Sequence, residues 1–192
     1  EYTWQLVREM KGGQAIFSQP PLPIKCAGAP QKALYLSCDY WRRQGILNNI
    51  NVNFCLAGAA VFGIPQFVPP LTEYLGKYRA QVNFNHHLIR VDGEKRQATF
   101  AVETNEEGKR ELTLPFDMLH VVPPQSAPAF ISQSGLADGA GWCDVDKSTL
   151  QHKHWPDIFA VGDCCSTPNA KTLAAARKQV VVAAENVAAL IQ

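Results

Sequence analysis

The chain lacks most of what would mark it as a membrane span, a nucleic-acid binder or a disulfide scaffold. Its 192 residues contain no apolar run near the roughly 18 that a spanning helix requires. The stretch Val180-Val181-Val182-Ala183-Ala184 lies between Lys178 and Glu185. Eighteen basic residues against 17 acidic ones leave a formal net charge of +1, so there is no electrostatic footprint for nucleic acid. Six cysteines, at 26, 38, 55, 143, 164 and 165, are too few to staple a chain of this length. None forms a Cys-x-x-Cys pair, and the adjacent Cys164-Cys165 suits zinc poorly; His86-His87 and His152-x-His154 have no partner at ligand spacing, so no metal site is expected. The first residues, Glu1-Tyr2-Thr3-Trp4, carry neither an initiating methionine nor a basic segment leading into an apolar one. On this reading the chain is part of something longer.

What is present is a mixed α/β pattern with 46% hydrophobic residues, enough for one sizeable core or two small ones. Ala15–Ser18 is a strand, ended by Pro20-Pro21-Leu22-Pro23, because proline removes donors and restricts the residue before it. Pro30 suits the first helical position; Leu34, Cys38 and Trp41 then form an apolar stripe, and Gly45 stops the helix. Val52–Ala57 reads as a strand, Pro69–Tyr78 as a helix and Val82–Phe84 as a strand. This βαβ rhythm implies parallel pairing with a right-handed crossover. Gln97–Thr104 and Glu111–Leu114 then alternate as two strands joined by a turn at 105–108, which predicts a β-hairpin insertion. Leu119–Val122 is a further strand, broken by Pro123-Pro124. A helix from Lys171 carries Leu173, Val180 and Val187 on a narrow, alanine-rich face suited to close packing.

A dinucleotide-binding fold needs a strand, then Gly-x-Gly-x-x-Gly opening a helix, then an acidic residue for the ribose. No such sequence occurs. The nearest approach is Gly58-Ala59-Ala60-Val61-Phe62-Gly63, where alanine and valine side chains would crowd a pyrophosphate. The expectation is a nucleotide-type domain that no longer binds its nucleotide.

Two short motifs carry the chemistry. Ile158-Phe159-Ala160-Val161 reads as a buried strand leading into Gly162-Asp163-Cys164, with Ser166-Thr167-Pro168 and a helix following. Glycine lets backbone approach a flat ligand, the carboxylate can accept from hydroxyls, and a helix N-terminus favours negative charge. Upstream, Lys25-Cys26-Ala27-Gly28-Ala29-Pro30 offers a second cysteine in a loop feeding a helix. A helix entry and nearby lysines should lower a thiol pKa, which is the expectation for Cys26 and Cys164. Cys165 competes with Cys164 for the same role, although neighbouring side chains diverge. Cys38, Cys55 and Cys143 read as core or structural thiols.

These stretches, with Met118-Leu119-His120-Val121-Val122-Pro123-Pro124 and Gly141-Trp142-Cys143-Asp144-Val145-Asp146-Lys147, resemble the sulfide:quinone oxidoreductases, most closely the branch with the mitochondrial enzymes. The resemblance implies a partial Rossmann-like fold of the two-dinucleotide-binding flavoprotein type. Residues 1–115 would be a degenerate nucleotide-fold domain and 116–192 the return half of an FAD-binding domain. It implies a Cys26/Cys164 redox pair that hydrosulfide attacks, leaving a persulfide on one sulfur while electrons pass to FAD and then to quinone. It also places Gly162 and Asp163 on the ribityl chain, Lys171 and Thr172 near the flavin's pyrimidine edge, and Pro123 and Pro124 in its pocket. The implied location is the periphery of a bacterial or mitochondrial energy-transducing membrane, with self-association permitted. The isolated chain, lacking the family's N-terminal FAD fingerprint, is expected to bind FAD weakly or not at all and to be inactive. The rival readings are an NADH:quinone or flavocytochrome-type dehydrogenase, and a non-catalytic assembly domain.

Overall fold

The computed structural model describes residues 2–104 and 108–192; the rest of the expected turn, at 105–107, lies outside the described residues. The chain forms two compact units. The first runs to Leu22 and resumes over Ala27–Pro124; the second joins Pro23–Cys26 to Gln125–Gln192.

The first unit opens with α1 (Tyr2–Glu9), β1 (Gly13–Gln19), α2 (Ala29–Arg43), β2 (Ile50–Leu56), α3 (Val68–Lys77) and β3 (Gln81–Asn83). An antiparallel sheet follows, made of β4 (His86–Asp92), β5 (Gln97–Thr104) and β6 (Gly108–Pro115), and then β7 (Met118–His120). β1, β2, β3 and β7 form one parallel sheet in the order β3-β2-β1-β7, with Gly13 opposite Ile50 and Ala15 opposite Met118. This is the parallel pairing that the strand–helix–strand rhythm predicts.

Period-two alternation along β1 gives the sheet two buried faces. Ala15 and Phe17 pack with Leu34, Cys38 and Trp41 of α2, all fully buried. Ile16 and Cys55 point the other way, onto Ala98, Phe100 and Val102 of β5. The predicted hairpin therefore forms and has a purpose: it covers the sheet face that helices cover in most parallel folds. β4, which pairs antiparallel with β5, and α1 were not expected from the sequence. α2 begins with proline in its first turn and ends where Gly45 turns left-handed (φ +72°), with the Ile46 amide closing on the Trp41 carbonyl at 3.0 Å. The Trp41 indole donates to the Val7 carbonyl at 2.8 Å and so ties α1 to this core.

The strand order puts the Gly58–Gly63 turn after the second strand of the sheet, not the first. The fingerprint of a dinucleotide fold follows its first strand. Here that connection is 20–28, the proline-rich loop carrying Cys26, whereas Gly58–Gly63 follows the second strand. Val61 there is buried core, and its carbonyl accepts from the Gln31 amide at 2.6 Å.

The second unit has little regular structure: the short α4 (Ala129–Gln133), a 3₁₀ turn at Gly162–Cys164 and α5 (Leu173–Ile191). Isolated bridges connect the rest, among them Lys25 with Lys171, Cys143 with Cys165 and Gln151 with Phe159. Its core is Ala127, Ile131, Trp142, Cys143, Val145 and Cys165. The buried strand expected at 158–161 is not regular: only Phe159 bridges, and all four residues are partly exposed, because no neighbouring strand runs along them. Among the described residues α5 buries Ala183 alone, and Leu173 and Val180 of the expected packing face stand 78% and 52% exposed.

Candidate functional site

The Gly162–Cys164 turn is built by one side chain and one strained backbone. Val161 enters extended, and Gly162 then adopts φ +71°, a conformation that L side chains rarely take. The Gln179 amide, one and a half turns into α5, organises what surrounds it. Its Oε1 accepts from the Gly162 amide at 2.7 Å, and its Nε2 donates to the Thr167 hydroxyl at 3.0 Å. Asp163 lies exposed in the turn, and its carboxylate makes no hydrogen bond or ion pair among the described residues. Thr172 caps α5 by accepting the Ala175 amide at 3.2 Å, which leaves earlier first-turn amides free for a ligand.

The two adjacent cysteines face different surroundings. Cys164 is partly exposed, with its thiol near the Val161 carbonyl at 3.4 Å. Cys165 is fully buried; its thiol donates to the Gly162 carbonyl at 3.1 Å and meets the Thr167 hydroxyl at 3.1 Å. The divergence expected of neighbouring side chains is thus observed. Cys143 runs alongside: its amide donates to the Cys164 carbonyl at 2.8 Å and its carbonyl accepts from Ser166 at 2.9 Å. All six cysteines are free thiols.

Lys171 connects this turn to Cys26. Its carbonyl accepts the Cys26 amide at 3.0 Å, while its ammonium donates to the Cys165 carbonyl and lies 4.3 Å from the centre of the Trp142 ring. Trp142 is itself placed by Asp138, whose carboxylate takes the Ala140 and Trp142 amides at 2.9 Å. The neighbouring Lys25 amide is held by the Gln125 side chain. Cys26 sits partly exposed with φ +58°, a strained backbone for a side chain of that type.

One expectation is corrected. Cys164 does not enter a helix; it closes a 3₁₀ turn, and α5 starts only at Leu173. Burial is the largest influence on its thiol and pushes the pKa up, with Cys165 and Asp163 adding to the rise and Lys171 pulling against it.

The structure gathers Cys26, Gly162, Asp163, Cys164, Lys171 and Thr172 into the second unit. Pro123 and Pro124 end the first, where they line a crevice of about 190 Å³ with Val121, Val122, Gln19 and Leu88. That crevice lies at the carboxyl ends of β1 and β7, beside the point where strand order reverses, the usual ligand position in open α/β sheets. The Gln19 Oε1 is buried there without a partner. The sequence reading missed Gln179 and Trp142. Gln179 follows Arg177 and Lys178 and so carried no distinct signal of its own; for Trp142 the available signal was a tryptophan flanking a cysteine. His152 is explained locally: its Nδ1 accepts the His154 and Trp155 amides at 3.1 and 3.2 Å, and its Nε2 meets the Leu136 carbonyl at 3.1 Å.

No family model matches the chain. The mitochondrial sulfide:quinone oxidoreductase of Mus musculus is 42% identical over 179 residues, which cover 93% of this chain and 39% of that protein. The protein of the same name from Schizosaccharomyces pombe is 38% identical over 188 residues, 96% of this chain and 40% of that one. Over nearly its whole length the chain is similar to the sulfide:quinone oxidoreductases. It spans about two fifths of the length of these relatives. Among solved structures, a chain of the Tetrahymena thermophila mitochondrial ATP synthase superposes with a TM-score of 0.75 at 23% identity, covering 98% of this chain and 45% of that one. The sulfide:quinone oxidoreductase of Aquifex aeolicus gives 0.72 at 16% identity, with 98% and 46% covered. The thioredoxin reductase of T. acidophilum gives 0.65 at 18%, with 99% and 57% covered. These likenesses show the fold, an α/β Rossmann type shared with the disulfide reductases.

Proposed function

We propose that this chain supplies the thiol-bearing part of a sulfide:quinone oxidoreductase, with Cys26 and Cys164 as its redox pair. The observation that carries this is the convergence on Lys171: one residue holds the Cys26 amide and the carbonyl of the residue after Cys164, within one unit. In the oxidised form hydrosulfide attacks one sulfur of a Cys26–Cys164 bridge. The S–S bond breaks, the attacked cysteine becomes a persulfide, and the other leaves as a thiolate bearing the electron pair. Similarity over nearly the whole chain to proteins named mitochondrial sulfide:quinone oxidoreductases supports the substrate pair of sulfide and quinone and a mitochondrial location; the membrane periphery is part of the same proposal. No helix among the described residues is long and apolar enough to cross a membrane.

FAD is the cofactor this reading requires, and the residues present fit its flavin end. Gly162 has no side chain where a Cβ would already touch Ala176 at 3.4 Å, and the Asp163 carboxylate is uncommitted and exposed. When bound, FAD would accept two electrons. Gly162 and Asp163 would hold the ribityl chain; Thr172 and the main chain of Lys171 would border the pyrimidine edge, since the Lys171 ammonium is already committed. In this assignment residues 1–115 are the degenerate nucleotide-fold domain and 116–192 the return half of the FAD domain.

The test uses protein extended to the length of the relatives, with serine at 26, 164 or 165. Cys26→Ser and Cys164→Ser should retain flavin and lose nearly all sulfide-dependent quinone reduction. Cys165→Ser should stay active, because its thiol is turned into the core. Full activity in Cys26→Ser, or a dead Cys165→Ser beside an active Cys164→Ser, overturns the assignment.

A further inference from the structure

We propose that Lys171 is a positioning residue for the Cys26 and Cys164 thiols: its main chain fixes the segment of one and its ammonium fixes the turn of the other. This rests on the reading of those two cysteines as a redox pair and adds a part for a residue otherwise placed only at the cofactor's edge.

Lys171 is 6% exposed, a rare position for an ammonium without a carboxylate partner. No Asp or Glu pairs with it among the described residues. What it has is the Cys165 carbonyl and the face of Trp142, whose ring attracts a cation. Its position also opposes the dipole of α5, which begins two residues later. An ammonium held there at such a cost is stabilised when an anion forms beside it. Cys164 is the titratable neighbour that feels it favourably; Cys165 and Asp163 act on Cys164 in the opposite sense, and Cys143 couples to the same thiols.

The main-chain half of the argument is independent of charge. Lys25 and Lys171 form a parallel bridge, and the Cys26 amide closes on the Lys171 carbonyl. Cys26 keeps its left-handed backbone inside that bond. The side-chain half fixes Cys165, and Cys165 is flanked by the turn that presents Cys164. Moving Lys171 therefore moves both thiols. A surface lysine could not do this, because its long stem would keep its freedom.

The test compares the chain with its Lys171→Met, Lys171→Arg and Lys171→Gln variants. Diamide takes two electrons and two protons from a thiol pair and becomes the hydrazine, so peptide mapping by mass spectrometry gives the rate of Cys26–Cys164 bridge formation. Iodoacetamide alkylation of Cys164 against pH gives its titration. The expected result is that Lys171→Met, similar in length and apolar, bridges about tenfold more slowly and shifts the alkylation profile up by about one pH unit. Lys171→Arg should restore both. If the unaltered chain forms no Cys26–Cys164 bridge, the redox-pair reading fails and this proposal with it. If it bridges and Lys171→Met matches it in rate and profile, only the part given to Lys171 fails. Should Lys171→Met not fold, Lys171→Gln decides, since it keeps a donor to Cys165 without the charge: an upward-shifted profile supports the proposal, and an unchanged profile and rate overturn it.

Discussion

Cys143 and Cys164 are joined through their backbones, the Cys143 amide donating to the Cys164 carbonyl at 2.8 Å while the Cys143 carbonyl accepts from Ser166 at 2.9 Å. Cys143 therefore contributes to the turn that presents Cys164 through its main chain, not through its thiol. Cys143→Ala should cost only the burial of one small apolar atom, about 1 kcal/mol. It should leave the rate of Cys164 alkylation unchanged. Urea denaturation and timed alkylation of the one variant check both halves.

Native-state alkylation should separate the six cysteines. Cys26 and Cys164 are partly exposed, whereas Cys38, Cys55, Cys143 and Cys165 are buried. A brief iodoacetamide pulse at pH 8, read by peptide mass spectrometry, should modify the first two and spare the other four until the protein unfolds. Equal labelling of Cys164 and Cys165 would contradict the divergence of their side chains.

Alkaline pH should destabilise the first unit through its core thiols. Burial pushes Cys38 and Cys55 up to about 12 from 9.0. The folded state keeps these protons while the unfolded chain loses them, so the stabilising effect is complete below pH 9 and is lost as pH rises toward 12. With each pH unit worth about 1.4 kcal/mol, each thiol accounts for a loss of order 4 kcal/mol across that window. Cys38→Ala should start less stable at pH 7 yet show a visibly flatter decline above pH 9 in urea titrations.

Gly162→Ala tests the strained turn. A side chain at φ +71° costs about 1–2 kcal/mol. Its Cβ would also meet the Ala176 Cβ at 3.4 Å. The melting temperature should fall accordingly, and Cys164 should alkylate at an altered rate because the turn relaxes.

Trp41 closes the core of the first unit and donates to Val7. Trp41→Phe should cost about 1–3 kcal/mol, chiefly the buried carbonyl left without its donor. Trp41→Ala should cost about 3–5 kcal/mol. Denaturant midpoints of the two variants measure the difference between the bond and the ring.

Several elements were legible in the sequence because their signal is local. Pro30, the Leu34-Cys38-Trp41 stripe and Gly45 specify α2 without reference to anything distant, and alternation from Gln97 specifies β5. The order of motifs around Cys26 and Gly162-Asp163-Cys164 was enough to indicate the family. What only the tertiary structure decided was pairing between remote segments. β4 exists because β5 offers it a hydrogen-bonding edge; none of its own residues is fully buried and they lack a clear apolar face. The Ile158–Val161 run, apolar enough for a strand, finds no such edge and stays irregular. Strand order decided that the loop after the first strand is the proline-rich one carrying Cys26 and not the Gly58 turn, because order depends on which strand lies in the middle of the sheet. The partners of Lys171 come from positions 26, 142 and 165, and Gln179 reaches back to Gly162; such contacts have no fixed spacing along the chain. Sequence periodicity reports which face a residue shows, and folding alone reports what stands opposite it.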